Sequence, residues 1–397
     1  MPTELPKPNL IEHEGAFLDL LAELENHADI AVDTEADSFF SYHEKVCLIQ
    51  ITAGGVDYLL DPLADIDIAP LGAMFADPQR RKIFHDGEYD VLLFKRNHDF
   101  EFANLFDTRV AAAALGTPNP GLASVLEDHF GVKLDKSMQR SDWSERPLSQ
   151  KQIDYARLDT HYLIGLMDEQ LVQLQERELV EVVAGECRRL EQLDAPPIRF
   201  QPDDWVKLKG ARNLSGQQRS NLREIFALRD RLSAERDVPP FRVMNNQALL
   251  VIAQAAPKSV HALGELSGVS PRQARRIGDG VMAALADARA NGPITRLPQL
   301  PAKDGTAGMS FEELELFDDL KAWRRKQAER LGFDASLVLN RHALVRLAKD
   351  APKDVASLAA TEGIVSWQVE RFGEQLAERI ARFRPTPESD RGKRRRR

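Results

Sequence analysis

Asp33-Thr34-Glu35 closes the apolar run Ile30-Ala31-Val32. In an extended strand side chains alternate between faces, so the two carboxylates share one face and Thr34 takes the other. The apolar approach predicts a buried strand, and two carboxylates at its end repel each other unless a divalent cation joins them. Tyr155 and Asp159 stand four apart in a helical pattern that runs from Ser149 to Leu174, and so share a helix face. Asp90 follows the β-prone run Lys82-Ile83-Phe84-His85 and opens the apolar stretch Val91 to Phe94, where an acid also complements the helix dipole. Asp86 competes with it for the same role. Carboxylates are hard oxygen ligands, which favour magnesium or manganese. His85 and His161 lie near these acids in sequence and read as structural.

The elements that must position these residues come from the first half of the chain. Ile30 to Asp33, Val46 to Ile51, Val56 to Leu60 and Lys82 to His85 are short β-prone runs separated by glycine and polar residues. Helical patterns flank and follow them at Phe17 to Leu24, Tyr89 to Arg96, Asp107 to Leu115, Leu122 to Phe130 and Ser149 to Leu174. The first three strands are close enough for hairpin connections, so the sheet of this α/β domain is expected to be mixed.

The rest of the chain repeats itself. Val243 to Lys258 aligns without a gap on Val338 to Lys353, at an offset of 95 that also pairs Val260 with Val355, Leu263 with Leu358, Gly268 with Gly363 and Gly278 with Gly373. Such self-similarity means duplication of a small all-helical module. Each copy has an opening helix (Gln217 to Glu235; Phe311 to Leu331), a helix capped by Asn245 or Asn340, and a helix after Ser270 or Ser366. Prolines mark the joints: Pro196, Pro197 and Pro202, then Pro293, Pro298 and Pro301. The expected division is 1–195, a linker 196–209, modules at 210–292 and 309–385 with a linker 293–308 between them, and a basic tail 386–397 read as disordered.

The net charge of -9 hides a strong asymmetry. Residues 1–209 carry -19, residues 210–295 carry +5, residues 309–385 balance, and the last twelve residues carry +4, ending in Lys393 to Arg397. An acidic front presenting carboxylates to cations and a basic middle and tail holding an anionic polymer fit that pattern.

Taken together the motifs resemble a family. Asp33-Thr-Glu35, His85-Asp-Gly-Glu-Tyr-Asp90 and Tyr155-Ala-Arg-Leu-Asp159 are similar to the three exonuclease motifs of the DEDD superfamily, in the branch with tyrosine before the last aspartate. Phe106 to Ala113, Leu134 to Ser137 and Arg140 to Ser149 resemble stretches of ribonuclease D, and the duplicated module, with Val238-Pro-Pro-Phe241 in its first copy, resembles the helicase-and-ribonuclease-D C-terminal (HRDC) domain. The second copy departs from this with Gly332-Phe-Asp-Ala335, which puts its nucleic-acid surface in doubt.

The resemblance implies a ribonuclease-H-like exonuclease domain, with a mixed sheet, followed by two all-α HRDC domains. It implies a metal-dependent 3′-5′ exoribonuclease releasing nucleoside 5′-monophosphates with two divalent ions, Mg2+ or Mn2+. Asp33, Glu35 and Asp159 would ligate the first ion, Asp33 would bridge to the second, Asp90 would act on the second largely through water, and Tyr155 would orient the attacking water. Lys136, Arg140, Trp143 and Arg146 are candidate RNA contacts near the site, with core packing the equal alternative for Trp143, and Arg272, Arg275 and Arg276 are candidate phosphate contacts in the first HRDC copy, with a solvated helix face the alternative. The implied substrate is structured RNA, tRNA precursors foremost, and the chain is expected to be a monomer.

Two other readings compete. The same chemistry could act on DNA, and an inactive nuclease domain could leave a nucleic-acid-binding adaptor; retention of all four acids argues against the second. A helicase is a still weaker reading, since the sequence shows no G-x-x-x-x-G-K-[ST] loop. No run reaches the ~18 apolar residues of a membrane span, and MPTELPKPNL lacks a signal pattern. With only Cys47 and Cys187, a cytoplasmic protein is expected.

Overall fold

The computed structural model describes residues 5–298, 305–306 and 308–386. They form two compact units: one holds residues 5–36, 46–196 and those from 305 on, the other residues 37–45 and 197–298.

The first unit contains strands β1 (Asn9–Ile11), β2 (Asp29–Ala36), β3 (Val46–Ala53), β4 (Val56–Leu60), β5 (Arg81–Phe84) and β6 (Leu105–Asp107). They make one mixed sheet in the order β1-β4-β3-β2-β5-β6. β2, β3 and β4 run antiparallel, and Gly54 and Gly55, both at positive φ, make the two-residue turn between the last two. β1 adds parallel to β4 at one edge, and β5 and β6 add parallel to β2 at the other. The four strands expected from sequence form the middle of this sheet. β1 and β6 have three residues each, too few to show a period of two.

Helices α1 (Glu14–Leu24), α2 (Ala69–Ala76), α3 (Glu88–His98), α4 (Thr108–Ala114), α5 (Leu122–Phe130), α6 (Gln150–His161), α7 (Leu163–Glu176) and α8 (Val180–Glu191) belong to the same unit. α6 lies against β2, β3 and β4. It starts at a capping box in which Ser149 accepts from the Gln152 N–H and the Gln152 side chain accepts from the Ser149 N–H. The single helix expected from Ser149 to Leu174 is in fact two, divided at Tyr162 with no proline or glycine at the break.

The second unit is helical, with α9 (Gly216–Arg236), α10 (Pro240–Val243), α11 (Asn246–Ala255), α12 (Val260–Gly264) and α13 (Pro271–Ala290) around a core that includes Trp205, Ile225, Leu249 and Val281. It also takes in the segment 37–45. There the Tyr42 hydroxyl donates to Asp230 at 2.7 Å, the Tyr42 and His43 N–H groups donate to Asp237, and Arg242 stacks over Phe40.

The second helical copy comprises α14 (Phe311–Leu331), α15 (Ala335–Val338), α16 (Arg341–Asp350), α17 (Val355–Ala359) and α18 (Ser366–Arg382). The repeat extends to single hydrogen bonds. Asn245 caps α11 by accepting from Ala248, and Asn340 caps α16 by accepting from Ala343, both at 2.8 Å. Gln273 donates to the Val243 carbonyl, and Gln368 to that of Val338. At Gly278 a Cβ would meet Val260, and at Gly373 it would meet Val355, so the paired glycines let α13 and α18 approach the short helix before each. Other caps differ between the copies: Ser270 caps α13 whereas Val365 holds that position before α18, Asp354 replaces Ser259 before the short helix α17, and Asp334 caps α15 where Pro239 precedes α10.

This second copy shares one apolar core with the sheet-containing part of its unit. Trp367 fits where Gly185 leaves room on α8, Phe333 is buried, and the Asp334 N–H donates to the Ala113 carbonyl at 3.3 Å. Gly332-Phe-Asp-Ala335 therefore serves packing within the unit. Among the described residues no helix is long and apolar enough to cross a membrane. The basic run Lys393 to Arg397 lies outside the described residues.

Candidate active site

β2 puts Asp33 and Glu35 on the face covered by α6, where Asp159 of that helix meets them. One carboxylate oxygen from each lies within 4.8 Å of the others. Burial, with repulsion from neighbouring acids, pushes all three carboxyls up: Asp33 well above the usual carboxylate range, Glu35 to about 9 and Asp159 to about 8. A cluster held this way has a strong demand for positive charge, and its donors are all hard oxygens. The residues thus fit a divalent cation such as magnesium or manganese. Tyr155 sits one turn before Asp159, and burial beside the Asp159, Glu35 and Asp33 carboxylates raises its phenol above the ordinary range, so it stays protonated.

Asp90 lies outside that group of oxygens but is close enough that its charge raises all three carboxyls. It is buried in the first turn of α3 and accepts a short hydrogen bond from the Thr34 hydroxyl, on the opposite face of β2. Burial raises its carboxyl to about 6, less than the others because Thr34 stabilises the charged form. Asp86, the competing acid, is largely exposed at positive φ and faces Arg109. The loop between them is held by Asp107, which accepts from the Asp86 and Gly87 N–H groups while capping α4. Sequence reasoning missed Thr34 and Asp107 as site-shaping residues. Asp107 directly before the helical pattern Thr108-Arg109-Val110, an N-cap position, was the available signal for the second.

A buried polar cluster fastens α6 to the sheet. Asp57 of β4 accepts from Thr52, Arg157 and His161, at 2.8–2.9 Å, and Thr52 also bonds Thr160. Burial works to raise the Asp57 carboxyl, but the bonds from His161, Thr52 and Arg157 outweigh it and leave it lowered. His161 thus belongs to an anchor, and His85, bonded to Thr108, is kept neutral by burial, which lowers it to about 4.

The flanking candidates separate. Trp143 is 1% exposed, packed with Cys47, Leu48, Leu59 and Ala156, so the expectation of a base contact is corrected: the indole is core. Arg146 is corrected likewise. Its guanidinium donates to both Asp61 oxygens and to the carbonyls of Cys47, Trp143 and Glu145, which uses its fork of donors. Arg140 is exposed, and the Lys136 side chain lies outside the described residues. Arg272, Arg275 and Arg276 are exposed on the first half of α13, in the other unit.

Comparison with known proteins gives this geometry a context. Residues 8–175 match a 3′-5′ exonuclease family model, and residues 218–285 and 313–380 each match the HRDC domain. A ribonuclease D of Gluconacetobacter diazotrophicus is 33% identical over 72% of this chain and 73% of its own length. The chain belongs to the ribonuclease D family. Ribonuclease D of Escherichia coli K12 is 31% identical over 73% of this chain and 77% of its own. A crystal structure of E. coli RNase D, an exoribonuclease involved in structured RNA processing, covers 96% of this chain and all of its own, with a TM-score of 0.67 and 27% identity. As a member of the ribonuclease D family the chain is a 3′-5′ exoribonuclease, with RNA as its substrate class and divalent metal ions as its cofactors.

Proposed function

We propose that this exoribonuclease matures the 3′ ends of structured RNAs, tRNA precursors foremost, by a two-metal mechanism using Mg2+ or Mn2+. The observation that carries the reading is the meeting of half-buried Asp33 and Glu35 with buried Asp159, with carboxylate oxygens within 4.8 Å. These three would hold one ion, Asp33 would also reach the second, and Asp90, bonded to Thr34, would act on the second through water. Ions held by these residues would lower the pKa of a bound water and stabilise charge on the leaving 3′ oxygen. Tyr155 keeps its proton, so it orients the attacking water by hydrogen bonding rather than removing a proton from it. The exposed Arg140, with Arg272, Arg275 and Arg276, would contact phosphates; we retain the domain limits 1–195, 210–292 and 309–385 for these parts. A cytoplasmic location agrees with two buried cysteines that form no disulfide, and the chain is taken to act as a monomer.

The test is a time course on 5′-labelled RNA with a short single-stranded tail beyond a hairpin, with Mg2+, Mn2+ or EDTA. A ladder shortening from the 3′ end, dependent on metal and lost in Asp33→Asn, is expected. Intact RNA alongside degraded DNA of the same sequence would overturn the substrate assignment.

A further inference from the structure

Directly opposite residues of an antiparallel pair point to the same face of the sheet. Gln50 of β3 stands opposite Asp33, and Leu48 stands opposite Glu35. That face is the one α6 covers: Leu48 and Leu59 pack with Ala156, and Thr52 bonds Thr160. Gln50 is fully buried there, and among the described residues neither its Nε2 nor its Oε1 has a hydrogen-bond partner. Its neighbours along the sheet explain this. Leu59 flanks it on β4, Leu48 precedes it on the same face, and Thr52 is already engaged with Asp57 and Thr160. Asp33 is the polar residue paired with it.

An amide buried with both ends unmet is a cost that an apolar side chain of the same size would avoid. A carboxylate that binds cations keeps lone pairs beyond those given to the ions, and outer donors commonly hold it in place. A glutamine suits that task beside a cation site because its donor is uncharged, where a lysine or arginine would compete with the ions.

We propose that Gln50 is a positioning residue of the metal centre, donating from Nε2 to the Asp33 carboxylate when that carboxylate is engaged by cations. The inference rests on the assignment of Asp33 as a metal ligand. Its test is Mn2+ titration calorimetry on the full chain, with thermal melting in EDTA, for wild type, Gln50→Met and Gln50→Asn. Methionine conserves volume and removes the hydrogen bond. Gln50→Met is expected to melt in EDTA at or above the wild-type temperature yet to bind Mn2+ about 10–100-fold more weakly. Its nuclease rate should fall at low Mn2+ and recover in part at high Mn2+. Unchanged Mn2+ affinity would make Gln50 a packing residue and overturn the proposal. If the methionine variant melts lower, Gln50→Asn, whose amide falls one methylene short of Asp33, decides: weakened Mn2+ binding supports the proposal and wild-type affinity overturns it. Failure of wild type itself to bind Mn2+ would instead overturn the metal assignment beneath it.

Discussion

Asp33, Glu35 and Asp159 lie so close together in a largely desolvated cluster that ionising all three is costly unless positive charge arrives with them. Their folded-state pKa values are raised, so between the ordinary carboxylate range and about 9 the folded chain holds more protons than the unfolded one. Stability from these groups is therefore fullest at low pH and is lost as pH rises through that window. Two buried bases pull the other way at its edges: His85, lowered to about 4, favours the folded state as pH rises to 6.5, and Lys82, lowered to about 8, does so above that value. The clean window is pH 6.5 to 8. In EDTA the melting temperature is expected to fall across it, and Mn2+ should raise melting more at pH 8 than at 6.5, because binding displaces protons. Scanning calorimetry at the two pH values checks this, and a metal-induced shift independent of pH would contradict it. The shared face of Asp33 and Glu35, and that of Tyr155 and Asp159, was legible from spacings of two in a strand and four in a helix, and the meeting of Asp159 with the strand pair was implied by the resemblance to the exonuclease motifs. The burial of Trp143 and the saturation of Arg146 were not, since both depend on what β3, β4 and Asp61 bring from elsewhere in the chain.

α6 carries both Tyr155 and Asp159, so its seat on the sheet sets the distance from Asp159 to β2. Asp57 holds that seat, and its partner Arg157 is buried with it. Removing one member of such a pair leaves a charge without compensation, which costs about 3–5 kcal/mol. Asp57→Ala is expected to lose stability of that order in urea unfolding and to bind Mn2+ more weakly through displacement of Asp159. Loss of stability with unchanged Mn2+ affinity would show that α6 keeps its place by other contacts. None of this cluster could be read from the sequence: Asp57 looked like a polar residue in a β-prone run, and its partners on α6 lie about a hundred positions away. Elements with local signatures were easier. Asn245, Asn340 and Ser270 announced their helices by capping chemistry, whereas the break at Tyr162 has no local marker and appears only in the backbone.

At the scale of the whole molecule, duplication gave two copies with one pattern and different surroundings. The offset of 95 carries over the asparagine caps, the glutamine bonds to Val243 and Val338 and the contacts at Gly278 and Gly373, since these depend only on contacts inside a copy. It could not predict that the second copy shares a core with the sheet-containing part of its unit, although Gly332-Phe-Asp-Ala335 marked the place where the copies diverge. The tightest point of that packing is Gly116, at φ +79°, where an added Cβ would lie 2.3 Å from the Gly332 carbonyl oxygen. Both the backbone conformation and the contact disfavour any other residue. Gly116→Ala is expected to destabilise this packing by about 1–3 kcal/mol. Amide exchange should then quicken across α15 and α16, while the sheet strands β2, β3 and β4 keep wild-type protection. Cleavage of a short single-stranded RNA should be nearly unchanged, because none of the carboxylates lies in the altered contact. Faster exchange in β2 and β3 as well would mean that the second copy supports the sheet that carries the acids, and that the shared core is a condition of the active site.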